Sequence, residues 1–144
     1  MKRNGFFLIL IAAFVLGAIG HIFLRPQAQE KQAYTLLLRS ESFPLWMCYA
    51  LPEENTDIML GKQAATVEKT EILIPYLDFR EGGETIRTPS KLHRTVFFTV
   101  RAEGYEKEGR LYVGDLMLTM GTKVSIVGEN FAFSSVLWDF EAVF

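Results

Sequence analysis

The chain has 144 residues, with 15 Lys and Arg against 17 Asp and Glu, a net charge of −2, two histidines and one cysteine. Setting aside Lys2 and Arg3 leaves 13 basic residues against the same 17 acidic ones, so the remainder sits near −4. That balance excludes a basic face tracking nucleic-acid phosphates and tight electrostatic docking on anionic lipid. A single cysteine excludes an internal disulfide, and with only His21 and His93 there is no histidine/cysteine metal cluster to expect.

Residues 5–24 form a twenty-residue run without formal charge, preceded by Lys2 and Arg3 and closed by Arg25 and Pro26. As a helix such a run spans roughly 30 Å, the depth of a bilayer's hydrocarbon core. A cleaved secretory signal is the alternative, with residues 6–16 as its apolar core and Ala18-Ile19-Gly20 as its site. Against cleavage, Ile22, Phe23 and Leu24 carry the run to spanning length, and Pro26 stands where a later site wants a small residue. Residues 1–25 are therefore read as an uncleaved, single-pass membrane anchor. The positive charges differ little between its ends, Lys2 and Arg3 against Arg25 and Lys31. The four-residue tail favours a cytoplasmic N-terminus, with the domain outside the cytoplasm. His21 has no second ionisable group in the span and reads as an interfacial, snorkelling side chain.

Residues 26–33 are polar, include Pro26, and read as a linker; residues 34–144 suffice for one domain with a core. Strands are expected over 34–39, 46–51, 58–61, 65–70, 71–76, 94–102, 110–113, 116–118, 123–127 and 136–144. Residues 78–90, with Gly82-Gly83 and Pro89, read as the longest loop, and 103–109 as a break. In the last strand Val136, Trp138, Phe140 and Phe144 alternate with Asp139 and Glu141, which places Trp138 in the core and the two acids in water. Outside the anchor no window carries a helical apolar stripe. Beta-branched and aromatic runs separated by turns predict an all-β domain, a small antiparallel barrel-like fold or sandwich.

A weak repeat pairs Asp57-Ile58-Met59-Leu60-Gly61 with Asp115-Leu116-Met117-Leu118 and Gly121, and Ile72-Leu73-Ile74 with Val136-Leu137-Trp138. Two such units would make the halves of a closed barrel without free edges. Tyr112-Val113-Gly114-Asp115 is similar to the glycine–aspartate turn of cradle-loop barrels, and is also an ordinary turn sequence.

Residues 49–53, 58–62 and 71–73, then 95–100, Gly104, 110–114, 120–124 and 131–140, together resemble the bacterial domain-of-unknown-function family 4330 (DUF4330). The resemblance spans most of 34–141 and rests on glycine spacing and apolar runs. It implies one N-terminal span and a compact outer domain, and brings no activity or catalytic residue with it.

The search for chemistry yields little. Cys48, in the apolar run 45–51, reads as a buried thiol, with no helix start or adjacent cation to activate it. His93, beside Lys91 and Arg94, reads as solvated. Ser125, Ser134 and Ser135 have no histidine that sequence places beside them, and Gly82-Gly83 follows charge rather than a strand, so neither a triad nor a phosphate loop is supported. Acids pair at Glu53-Glu54, Glu106/Glu108 and Asp139/Glu141. Phe131, Phe133, Trp138, Trp46 and Tyr49 read as core, or else as an exposed platform for a partner or sugar. Phe144 on an alternating strand is also how outer-membrane barrels end, but too few strands follow an apolar helix for that reading. The expectation is a membrane-anchored binding module for another envelope protein, with no catalytic residue, cofactor or metal. The competing classes are an enzyme on cell-wall or surface polysaccharide, using Asp139/Glu141 or Asp115 as acids, and a structural subunit of an export or polysaccharide-assembly complex.

Overall fold

The computed structural model describes residues 30–144. The anchor expected over 1–25, His21 within it, and most of the 26–33 linker lie outside those residues. Among the described residues no helix is long and apolar enough to cross a membrane. They form an all-β domain of ten strands and one 3-10 helix: β1 (Gln32–Pro44), the helix (Leu45–Ala50), β2 (Thr56–Leu60), β3 (Gln63–Leu73), β4 (Tyr76–Glu81), β5 (Glu84–Pro89), β6 (His93–Lys107), β7 (Arg110–Val113), β8 (Leu116–Leu118), β9 (Lys123–Val127) and β10 (Ala132–Ala142).

Six strands close on themselves. Following the hydrogen bonds leads from β1 to β10, β9, β2, β3, β6 and back to β1, every pair antiparallel. Period-two alternation sends Tyr34, Leu36 and Leu38 of β1 inward, with Val96, Phe98, Val100 and Ala102 of β6 against them. Ile58, Leu60, Val67, Val124, Ile126 and Leu137 complete an interior filled by side chains, as a barrel this narrow must be. The barrel-like alternative is thus the one the chain adopts.

The pairing pattern is two-fold symmetric. Exchanging β1 with β6, β2 with β9 and β3 with β10 carries the ladders onto one another. Leu36↔Val100 maps onto Phe98↔Leu38 within the β1–β6 pair, and Leu60↔Ile126 maps onto itself between β2 and β9. Val67↔Val100 becomes Leu137↔Leu38, and Leu60↔Gln63 becomes Ile126↔Phe133. The bulges of β3 and β10 correspond as well. One residue is left unpaired in β3, Glu68, and one in β10, Trp138.

Each half is therefore a strand, a capping connection and a two-strand hairpin. In the first half the cap is the 3-10 helix, whose Met47 and Cys48 pack on the core, followed by Leu51 and by Pro52, whose carbonyl accepts a hydrogen bond from Thr70. In the second half the cap is the β7–β8 hairpin, which buries Leu111, Val113 and Leu118 over the opposite end. Gly104 makes that turn-off possible, since a Cβ there would strike the Tyr112 carbonyl as β6 passes from β1 to β7. The repeat expected from sequence is corrected accordingly. The two-fold relation pairs β2 with β9, not with 115–121, because Leu116–Leu118 belongs to a cap.

Three further expectations change. The strand expected over 46–51 is replaced by the 3-10 helix Leu45–Ala50, set between Pro44 and Pro52, which leaves Trp46 74% and Tyr49 91% exposed. Residues 76–89 are not a loop but the β4–β5 hairpin, closed by Gly82 and Gly83, both at positive φ, the tight turn that two-residue hairpins prefer. The bulge at Trp138 also breaks the alternation of β10. Ser135 and Leu137 are buried before it, Phe140 turns inward against Tyr34 after it, and the indole stands outside, 51% exposed.

Burial separates two aromatic substitutions. Phe98→Ala, at a fully buried ring, should cost about 3–5 kcal/mol, whereas Trp138→Ala should cost below about 2 kcal/mol, its loss being partial burial and a cation–π contact. Chemical denaturation of both variants checks the inward–outward assignment.

Candidate functional site

Two surfaces stand out, one a cleft in the barrel wall and the other the β4–β5 hairpin. The first opens where β1 and β10 part. Their ladder ends at Arg39↔Val136. Beyond it the Ser40 hydroxyl donates to the Ser134 carbonyl (2.9 Å) and shares a hydrogen bond with the Ser135 hydroxyl (2.6 Å), so both buried serines are satisfied by one another. The gap is a cleft of about 430 Å³ lined by Arg39, Ser40, Glu41, Lys123, Ser134, Ser135, Val136 and Trp138.

Arg39 organises its rim. The guanidinium lies between two rings, its carbon 4.4 Å from the centre of Trp138 and 5.6 Å from that of Phe97, so residues of β10, β1 and β6 form one stack. Its Nη2 is ion-paired with Glu41 Oε1 at 2.6 Å. The Nε is buried without a hydrogen-bond partner, so the two rings and the Glu41 ion pair fix the group.

The symmetry mates of these residues line a second cleft, of about 850 Å³, where β3 and β6 part. Arg101 stands for Arg39, Glu103 for Glu41, Ala102 and Ala65 for Ser40 and Ser135, Asp57 for Lys123 and Thr66 for Val136. Glu68 takes the bulge position of Trp138 and pairs with Arg101 at 3.6 Å instead of stacking on it. The frame is shared and the chemistry has diverged. The first cleft carries two cations against one acid and a large ring. The second carries Lys31 and Arg101 against Asp57, Glu103 and Glu129.

The second surface is the β4–β5 hairpin. It joins the two halves, has no counterpart in the symmetry, and leaves the barrel at the end opposite to Gln32. Leu77, Phe79 and Ile86 share one face, with Phe79 directly opposite Ile86, while Asp78, Arg80 and Arg87 share the other. On the polar face Arg87 sits over the Tyr76 ring at 5.1 Å and 3.9 Å from Asp78. All three apolar residues are about half exposed, as are Ile72, Leu73 and Ile74 leading into the hairpin. Trp46, Tyr49 and Leu92 lie exposed at the same end, where the Leu45 amide donates to the Leu92 carbonyl.

The acids considered as catalytic are only partly brought together. Asp139 and Glu141 line one shallow depression of about 250 Å³ with Thr35, Leu37, Thr99 and Phe140, and the Phe140 amide donates to Asp139 at 2.9 Å. Asp115 sits elsewhere, exposed in the β7–β8 turn. Cys48 is half-buried, its thiol 3.8 Å from the Pro44 carbonyl, rather than fully enclosed. His93 is exposed. Among the described residues no three His, Cys, Asp or Glu side chains are grouped to hold a metal ion. Sequence reading put Trp138 on its list but missed Arg39, Ser40 and Lys123, since nothing local marks residues that meet only across a parted ladder.

No family model, no curated protein and no solved structure matches this chain. The internal comparison of the two halves is the one the molecule itself provides.

If Asp139 and Glu141 are surface groups, Asp139→Asn with Glu141→Asn should change stability by less than about 1 kcal/mol. Thermal unfolding of the double variant checks it; a larger loss would mean that the pair is tied into the fold.

Proposed function

We propose that this chain is a membrane-anchored module outside the cytoplasm, working by binding another envelope protein through the β4–β5 hairpin. The anchor reading rests on the twenty-residue uncharged run in the sequence, and the DUF4330 resemblance fits a single span before a compact outer domain. The observation that carries the binding role is the hairpin's apolar face. An isolated two-stranded hairpin is at best marginally stable in water, and it gains little by holding Leu77, Phe79 and Ile86 outward. The closed barrel does not need it, because the ring of six strands is complete without β4 and β5. Both hairpin edges are also unpaired in the described residues, so a partner strand can extend the sheet while covering that face.

A photo-crosslinking residue at Phe79, in the full chain expressed in its native membrane, should yield one discrete protein adduct. The same residue at Glu108, in the exposed β6–β7 turn, should yield none. Equal labelling at both positions, or no adduct at Phe79, would remove the hairpin as a docking surface.

A further inference from the structure

We infer that the cleft beside Trp138 is a binding site for an acidic saccharide, separate from the hairpin and independent of its role. The argument begins with what the barrel tolerates. At the symmetry-related positions the same fold is built with Ala65 and Ala102 facing each other and with Glu68 at the bulge. Closure therefore demands neither the Ser40–Ser135 pair nor an indole at position 138. Both carry a cost that the twin avoids: two hydroxyls buried in the wall, and a large ring left half in water.

The chemistry of the divergence indicates the ligand. A planar indole with one exposed side stacks on the apolar face of a pyranose ring. The Arg39 guanidinium, stacked on Phe97 and Trp138, has its Nε buried and its Nη2 paired with Glu41, which leaves Nη1 as its donor for a ring hydroxyl or an acid group. Lys123 adds a second cation where the twin carries Asp57, so the two clefts favour opposite charges. A volume of about 430 Å³ falls in the range of small-molecule sites. As a gap between parted strands at the surface, it suits one sugar of a longer chain. A carboxylate-bearing pyranose meets each of these terms: flat face, hydroxyls, one negative charge.

The test uses the full chain in a non-ionic detergent, with Trp46→Phe so that indole fluorescence reports Trp138 alone. An oligogalacturonate should give a saturable change. A neutral malto-oligosaccharide, which lacks the acid, and polyglutamate, which lacks the sugar ring, should each bind at least tenfold more weakly. Lys123→Glu should weaken oligogalacturonate binding tenfold or more, and Asp57→Lys in the twin cleft should leave it unchanged. Isothermal calorimetry on Trp138→Ala, whose fold is checked by circular dichroism, should show binding lost. Equal affinity for polyglutamate would reduce the site to a charged patch and overturn the assignment. So would an unchanged affinity in Lys123→Glu, or no saturable response at all.

Discussion

The β1–β6 ladder is the interaction on which the rest of the domain depends. It joins the first strand of one half to the first strand of the other, from Gln32↔Gly104 to Pro44↔His93, and it converts an open sheet into a ring. Without it β1 and β6 would each present a long unpaired edge, and the interior would open along Leu36, Leu38, Phe98 and Val100, all fully buried. Burying each such side chain stabilises the fold by about 1.5–3 kcal/mol. The same ladder holds Phe97 beside Arg39, because Arg39 pairs directly with Phe97 across it. The stack at the candidate site is therefore a consequence of closure, extended by one residue across β10.

The two-fold pattern sorts the positions that match between the halves from those that differ. Inside the barrel, apolar faces apolar in both halves: Leu36 answers Phe98, Leu60 answers Ile126, and Val67 answers Leu137. A narrow, close-packed interior admits little else, since changes of one methylene are felt there. Outside, the exchange of Glu68 for Trp138 or of Asp57 for Lys123 costs the ladder nothing, as backbone pairing is blind to the outward side chain. The caps obey the looser rule as well. A 3-10 helix closes one end and a hairpin the other, the requirement being only that apolar side chains cover the opening.

Much of the barrel is legible in the sequence, because alternation over Tyr34, Leu36 and Leu38, and again over Val96, Phe98 and Val100, has a period of two that only a strand satisfies. What stays hidden has physical causes. The run from Trp46 to Leu51 has strand-like composition, yet Pro44 and Pro52 confine it to a compact turn at the barrel mouth. The Gly82-Gly83 pair is a hairpin signal, but its flanking strands carry charges on one face that give them the look of a loop. The bulge at Trp138 shifts the phase of β10 by one residue. A bulge is enforced by the partner strand, and so no residue of β10 announces it. The site fails to show for the same reason: Arg39, Lys123 and Trp138 come from β1, β9 and β10, and only the register sets them together.

The two exposed surfaces also differ in how they are built, and that bears on how independently they can act. The hairpin is an insertion between halves, tied to the barrel through the ends of β3 and β6, with the Ser90 amide bonded to the Pro75 carbonyl at its base. The cleft belongs to the barrel wall and inherits its geometry from the β1–β10 ladder and the bulge. They share no strand pairing: β4 and β5 pair only with each other, and β10 pairs with β1 and β9. Both surfaces lie toward the same end of the barrel, since Ser40 pairs with Val96 and Val96 with Ile72, the residue that leads toward the hairpin. Phe97 of the Arg39 stack stands two residues from Thr95, whose partner Leu73 leads into β4, so β6 is the strand common to the two surfaces.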